Sequence, residues 1–137
     1  MKPTGTPFRS LSALFLALAL LATSGCFLVA VGAAGAAGAG TVAYVRGELD
    51  ANLGNQYDRV VSATDSAVGQ LQLAKVRESK DAFSAEIIAR NSLDKKIDIT
   101  ISRQADNLTK LTIRIGIFGD EEESRAILDK IRTNLPS

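Results

Sequence analysis

Three runs in which apolar and polar residues alternate strictly constrain the fold of this chain more than any other feature. Successive side chains of a β-strand point to opposite faces, so a period of two predicts strands with one buried and one solvated face, as in antiparallel sheets. Turns between the runs are predicted at Asn91–Lys95 and Ala105–Asn107. The apolar members are Phe83, Ala85, Ile87 and Ala89, then Ile97, Ile99 and Ile101, then Leu111, Ile113, Ile115 and Ile117.

A fourth, less regular strand is predicted before these three, and two helices flank the group. The strand spans about Leu71 to Glu78, with Leu73 and Val76 as its apolar residues and a turn at Ser79–Asp81. Apolar residues that recur at a spacing of about 3.6 predict the two amphipathic helices. The first stripe comprises Leu53, Tyr57, Val60, Val61, Thr64, Val68 and Leu71, and the second comprises Ile127, Leu128, Ile131 and Leu135.

The remaining elements complete a small α+β domain. A strand over Val42–Leu49 and a turn over Asn52–Asn55 precede the first helix. Asp120 is predicted to cap the second helix, and Glu121–Glu123 occupy its first turn, where the helix dipole favours negative charge. The predicted order is β-α-β-β-β-β-α, which we interpret as a two-layer α+β fold with both helices on one face of an antiparallel sheet.

The N-terminal segment has the pattern of a secretory signal that ends at the only cysteine. Lys2 and Arg9 form a basic start, Leu11–Ala22 is a twelve-residue uncharged run, and small residues lead through Gly25 into Cys26. The run is shorter than the roughly 20 residues that a membrane-spanning helix needs. Small residues before a cysteine resemble a lipobox, which predicts cleavage between Gly25 and Cys26 and acylation of the thiol. The alternatives are ordinary cleavage beside a free thiol, or an uncleaved membrane anchor.

The next segment, Phe27–Val45, is uncharged and rich in glycine and alanine. Such a composition predicts a flexible spacer, and the alternative is a membrane-associated helix with closely spaced small residues. The predicted organisation is a signal peptide over residues 1–25, a lipidated cysteine and tether over 26–41, and a periplasmic domain over 42–137. Phe27 stands where aspartate would retain a lipoprotein in the inner membrane of a Gram-negative cell, so the lipobox resemblance implies a lipid anchor in the outer membrane facing the periplasm.

Charge and composition exclude several classes of function. The chain has 16 basic and 15 acidic residues; removal of residues 1–25 takes away Lys2 and Arg9 and leaves 14 against 15, a net charge near −1. That balance gives no basis for nucleic-acid binding, which needs a basic surface. The chain has no histidine, the commonest metal ligand and acid–base residue, and Cys26 would be acylated. We therefore predict no metal, no cofactor and no enzymatic activity.

Three segments carry a resemblance to a known family. They are TVAYVRGEL at Thr41–Leu49, IGIFGD at Ile115–Asp120 and SRAILDKI at Ser124–Ile131, and they follow the lipobox and the alanine- and glycine-rich tether. The layout resembles a family of small bacterial lipoproteins classed as a domain of unknown function. The resemblance covers essentially the whole mature chain and implies a lipoprotein. It provides no catalytic residues.

Candidate binding residues lie where the tether meets the domain. Tyr44, Arg46 and Glu48 could form a docking edge for a partner, or simply one outward face of an edge strand. The sequence favours a non-enzymatic, lipid-anchored module that docks an envelope protein or supports envelope structure, with membrane lipid and the lipoprotein processing and sorting machinery as further partners. The alternative is a carrier of small ligands or lipids with a groove between helices and sheet.

Overall fold

The computed structural model describes residues 40–136, which form a six-stranded antiparallel sheet and two helices. The strands are β1 (Val42–Val45), β2 (Glu48–Leu53), β3 (Ala74–Lys80), β4 (Ser84–Arg90), β5 (Lys96–Ala105) and β6 (Leu108–Ile115), and the helices are α1 (Tyr57–Gln70) and α2 (Glu121–Asn134). The spatial order of the strands is β1-β2-β6-β5-β4-β3, and every neighbouring pair is antiparallel. The predicted α+β class is confirmed.

Both helices cover the same face of the sheet, and this face is aliphatic. Register places Leu49 opposite Ile113, Ile113 opposite Ile99, and Ile99 opposite Ile87, so one buried row crosses four strands. The predicted stripe residues Ile127, Leu128 and Ile131 of α2 close over it. Burial of each such side chain contributes about 1.5–3 kcal/mol of transfer free energy, which is the main term that stabilises the two layers.

The predicted first strand is a two-stranded hairpin, so the sheet has six strands and not five. Arg46 and Gly47 have φ angles of 55° and 83°, which is the left-handed region at both central positions of a two-residue turn. The turn sends the chain back as β2, which continues through Asn52 and Leu53. Leu53 therefore belongs to the sheet and not to the first helix, and the prediction of a turn beginning at Asn52 is wrong by two residues.

The edge strand β3 also differs from its prediction. It begins at Ala74 and every one of its residues is exposed, including Val76, which is 60% exposed. Its polar side chains form ion pairs with α1, between Lys75 and Asp65 and between Lys80 and Asp58 (2.8 Å). A charged, irregular edge of this kind discourages pairing with other chains.

Two apolar residues assigned to buried strand faces lie in turns. Asp81 accepts hydrogen bonds from the backbone N–H groups of Phe83 (2.7 Å) and Ser84 (2.8 Å), which fixes a tight turn and leaves the Phe83 ring 68% exposed. Ile117 is 81% exposed because β6 ends at Ile115 and the chain turns at Gly116, which has a φ of 65°. The three alternating runs are confirmed as β4, β5 and β6 apart from these two ends.

The predicted signal peptide over residues 1–25, the cleavage site at Gly25 and Cys26, and the tether up to residue 39 lie outside the described residues. Within residues 40–136, neither helix combines the length and the apolar character that crossing a membrane requires.

Candidate functional site

One end of the sheet concentrates the exposed apolar side chains of the domain. We call it the tip, and define it as the β1–β2 turn (residues 45–47), the β4–β5 turn (91–95) and the β6–α2 loop (116–119). Register brings these segments to the same end, since β1 pairs with β2, β2 with β6, β6 with β5 and β5 with β4. Six large apolar residues are exposed in the described chain, and four are at the tip: Val45 (60%), Leu93 (73%), Ile117 (81%) and Phe118 (90%).

Two segments of the tip are locked together through backbone contacts between glycines. A Cβ atom on Gly47 would lie 2.5 Å from the carbonyl oxygen of Phe118, and one on Gly119 would overlap the Cα and carbonyl oxygen of Gly47. Gly119 also has a left-handed φ of 84°. The β1–β2 turn and the β6–α2 loop therefore fit against each other only because neither position carries a side chain.

Arg114 fixes the same loop from the side of the sheet that the helices do not cover, which we call the outer face. Its Nη1 donates to Glu48 Oε1 at 2.8 Å, and its Nη2 donates to the carbonyl oxygen of Ile117 at 3.0 Å. One guanidinium thus links β2, β6 and the loop. Glu48, one of the predicted docking residues, acts as the anion that orients this guanidinium.

The three predicted docking residues do not share a face. Tyr44 pairs with Leu49 on the helix-covered side, is half-buried, and has its hydroxyl where a Cβ on Gly119 would lie. Arg46 is exposed in the β1–β2 turn and makes no ion pair within residues 40–136. Glu48 lies on the outer face. Arg46 lies in the tip and Tyr44 and Glu48 directly beside it, and Glu48 is already paired with Arg114.

The β4–β5 turn is held by Asn91 and by the start of α2. The Asn91 side-chain oxygen accepts from the N–H groups of Leu93 and Lys95 (both 3.0 Å), and its amide donates to the Glu123 carboxylate at 2.9 Å. Lys95 pairs with Asp120 at 3.2 Å. These bonds leave the Leu93 side chain pointing away from the core.

Asp120 is the N-cap of α2, as predicted. Its carboxylate accepts from the backbone N–H of Glu123 at 3.1 Å. This hydrogen bond, together with the one from Lys95, lowers the pKa of Asp120 below its usual value. Capping and the first turn of α2 account for the acidic cluster Asp120–Glu123. Within the described residues, no group of three or more acidic, histidine or cysteine side chains is placed to hold a metal ion.

A groove of about 620 Å³ lies beside the loop on the outer face. Its polar lining comprises Lys95, Lys96, Asp98 and Arg114, and its apolar lining comes from Ile115, Ile117 and Phe118. Lys96 pairs with Asp98 Oδ2 at 2.8 Å, whereas Asp98 Oδ1 is buried without a protein hydrogen-bond partner. The three cations of the groove are all paired with carboxylates, Lys95 with Asp120, Lys96 with Asp98 and Arg114 with Glu48, so charge is nearly balanced beside the apolar wall.

A second charged cluster lies at the opposite end of the sheet. The cations of Lys80 and Arg103 each lie 5.6 Å from the centre of the Tyr57 ring, and the Tyr57 hydroxyl donates to the Asp81 carbonyl at 3.0 Å. Burial raises the pKa of Tyr57, so its hydroxyl remains protonated near neutral pH. The contacts fasten the start of α1 to strands β3 and β5 and place no activated nucleophile in a cleft.

Sequence reasoning missed most of the tip. The signal that was available is the pair of glycines around Ile117 and Phe118, which marks a loop and not the end of a strand. Leu93 lies in a turn that was predicted correctly, yet only the register shows that this turn meets the other two segments.

A sequence model of a protein family, described as a protein of unknown function (DUF3568), matches residues 10–134. The chain belongs to this family. The match to DUF3568 begins within the N-terminal segment and ends at the last residue of α2. No curated protein matches the chain.

Proposed function

We propose that this DUF3568 protein is a bacterial lipoprotein, anchored to a membrane through acylated Cys26, whose α+β domain is a non-enzymatic docking module. The observation that carries the proposal is the position of Cys26, directly after a basic start, a twelve-residue uncharged run and small residues. The match to DUF3568 includes this run and Cys26 as well as the folded domain. This supports the view that the N-terminal segment and the domain belong together in the family.

A docking role is supported by the distribution of side chains in the domain. Twelve large side chains are less than 2% exposed, and those of the strands and helices fill the space between the two layers. Such close packing favours a rigid scaffold over a carrier that encloses its ligand. The side chains available for contact lie instead at the tip, where Phe118 and Ile117 are exposed on a loop held by backbone contacts.

In a Gram-negative host the protein is expected in the outer membrane, facing the periplasm, because Phe27 replaces the aspartate that favours inner-membrane retention. Two or more acyl chains hold a protein stably at a membrane, whereas one holds it only reversibly. The processing and sorting machinery for lipoproteins would then be its first partners.

Metabolic labelling with an alkyne analogue of palmitate tests the anchor. The full chain should incorporate label and lose about 25 residues on maturation, consistent with a secretory signal. Cys26→Ser should incorporate no label. Ser24→Ala is the matched control: it keeps a small residue before Cys26 and should still incorporate label. Label that persists in Cys26→Ser would refute the proposal. Turnover of substrates by the purified wild type in a broad hydrolase panel would refute its non-enzymatic part.

A further inference from the structure

The chain enters the domain at the start of β1, one short strand away from the tip. Val42, the first residue of β1, is only three residues from Val45 at the tip, a distance of about 10 Å along a strand. The thirteen residues from 27 to 39 can extend at most about 45 Å. An anchor at Cys26 therefore keeps the tip within reach of the surface in which that anchor lies.

The composition of the tip matches a bilayer surface. Val45, Leu93, Ile117 and Phe118 are exposed together, although water-facing strand ends normally carry polar residues. Beside them, the groove on the outer face is lined by Lys96 and Arg114, which form partly exposed ion pairs with Asp98 and Glu48. Such surface pairs are weak, so lipid phosphates can compete for the two cations. Cations next to inserted apolar side chains are the arrangement found on proteins that lie in the interface of a membrane.

Charge also sets the orientation of the tip. The carboxylates of Asp120–Glu123 lie at the start of α2, on the helix side of the loop, where Asp120 pairs with Lys95 and Glu121 with Arg125. On the outer face, Lys96 and Arg114 are each balanced by one carboxylate, of Asp98 and Glu48. On the helix side, the four carboxylates of residues 120–123 have two ion-pair partners, so the balanced sheet side faces the phosphates more favourably.

We propose that the tip is a phospholipid-docking surface that inserts Phe118 and Ile117 into the bilayer in which the chain is anchored. This inference rests on the proposed lipid anchor, which keeps the tip at a high effective concentration near the surface, so that a weak insertion suffices. The two glycine contacts keep the loop in its protruding conformation, so little conformational entropy is lost on insertion.

The chain contains no tryptophan, so one introduced tryptophan can report how deeply either end of the domain lies in the bilayer. The test variant is Phe118→Trp at the tip, and the matched control is Phe83→Trp, since Phe83 is also exposed but lies at the opposite end of the sheet. The eight residues of β6 separate the two ends by about 25 Å. The protein as extracted from membranes is reconstituted in vesicles of equimolar phosphatidylethanolamine and phosphatidylglycerol, with and without brominated acyl chains.

The expected result is an indole at position 118 that is blue-shifted and quenched several-fold more strongly by brominated chains than the indole at position 83. Addition of Ile117→Glu to the Phe118→Trp chain should reduce the quenching several-fold, whereas Val76→Glu, on the exposed edge strand, should leave it unchanged. Equal quenching at the two positions overturns the proposal. A blue-shifted but unquenched indole at position 118 also overturns it, because a protein surface or a second copy would then cover the tip.

Intact mass of the same samples separates this inference from the proposed function. An acylated chain with equal quenching at the two positions retains the anchor and overturns membrane docking. A chain without acyl groups whose position 118 is selectively quenched overturns the anchor and supports docking as an intrinsic property of the tip.

Discussion

Substitution of Gly47 by alanine should destabilise the domain more than the same change at the loop glycines Gly40 and Gly116. The backbone at Gly47 has a φ of 83°, and the left-handed region costs a residue with a Cβ about 1–2 kcal/mol. The new Cβ would also lie 2.5 Å from the Phe118 carbonyl oxygen and 3.0 Å from its carbon, both backbone atoms that cannot rotate away. Overpacking of this kind adds about 1–3 kcal/mol, so the expected total loss is about 2–5 kcal/mol.

Two control substitutions separate the conformational cost from the cost of overpacking. Gly116→Ala has a similar φ of 65° but nothing within 4 Å of its Cβ, so it should cost only the conformational term of about 1–2 kcal/mol. Gly69→Ala lies in α1 with open space around it and should stabilise by about 0.5–1 kcal/mol. Urea unfolding of residues 40–137, followed by circular dichroism, measures all three. A cost for Gly47→Ala no larger than that for Gly116→Ala would refute the close approach of turn and loop.

Three further outcomes follow from individual side chains. Thr109→Val removes a buried hydrogen bond to the Asn55 carbonyl (2.8 Å) and should cost about 1–2 kcal/mol in urea unfolding, whereas Thr64→Val removes a second bond to a carbonyl inside α1 and should be nearly neutral. The pKa of Asp120 is lowered in the fold, so its contribution is complete above the unfolded value near 3.9 and is lost as pH falls through the folded value. Asp120→Asn should therefore flatten the decline of stability below about pH 4, and an unchanged pH profile would contradict this. Arg114→Met should accelerate amide exchange across residues 116–119 while global unfolding changes by less than about 1 kcal/mol, because the pair with Glu48 is partly exposed.

The parts of the fold that the sequence predicts are those governed by local rules. Strands β4 to β6 bury one face and solvate the other, so alternation identifies them. Helix α2 combines a capping aspartate with an apolar stripe, and both features act within a few residues. Edge strand β3 has no buried face, so its residues carry no such pattern.

The hairpin and the tip depend on contacts between distant segments. The core-facing positions change from even (Val42, Tyr44) to odd (Leu49) across the β1–β2 turn, and so short a run is predicted as one strand. Gly47 is needed there because the backbone of Phe118 approaches it, 71 positions later in the chain. Tyr44, Arg46 and Glu48 mark the correct end of the domain, but the exposed residues around them are assembled only by sheet register.

Intact mass spectrometry of the membrane-extracted protein tests the central claim most directly, with Cys26→Ala measured beside it. The account predicts a mass that matches residues 26–137 plus acyl chains, and loss of both the acyl mass and stable membrane association in the variant. A full-length mass without acyl groups would contradict the lipid anchor, and the uncharged residues 11–39, which precede β1, would then have to be the membrane-associated segment.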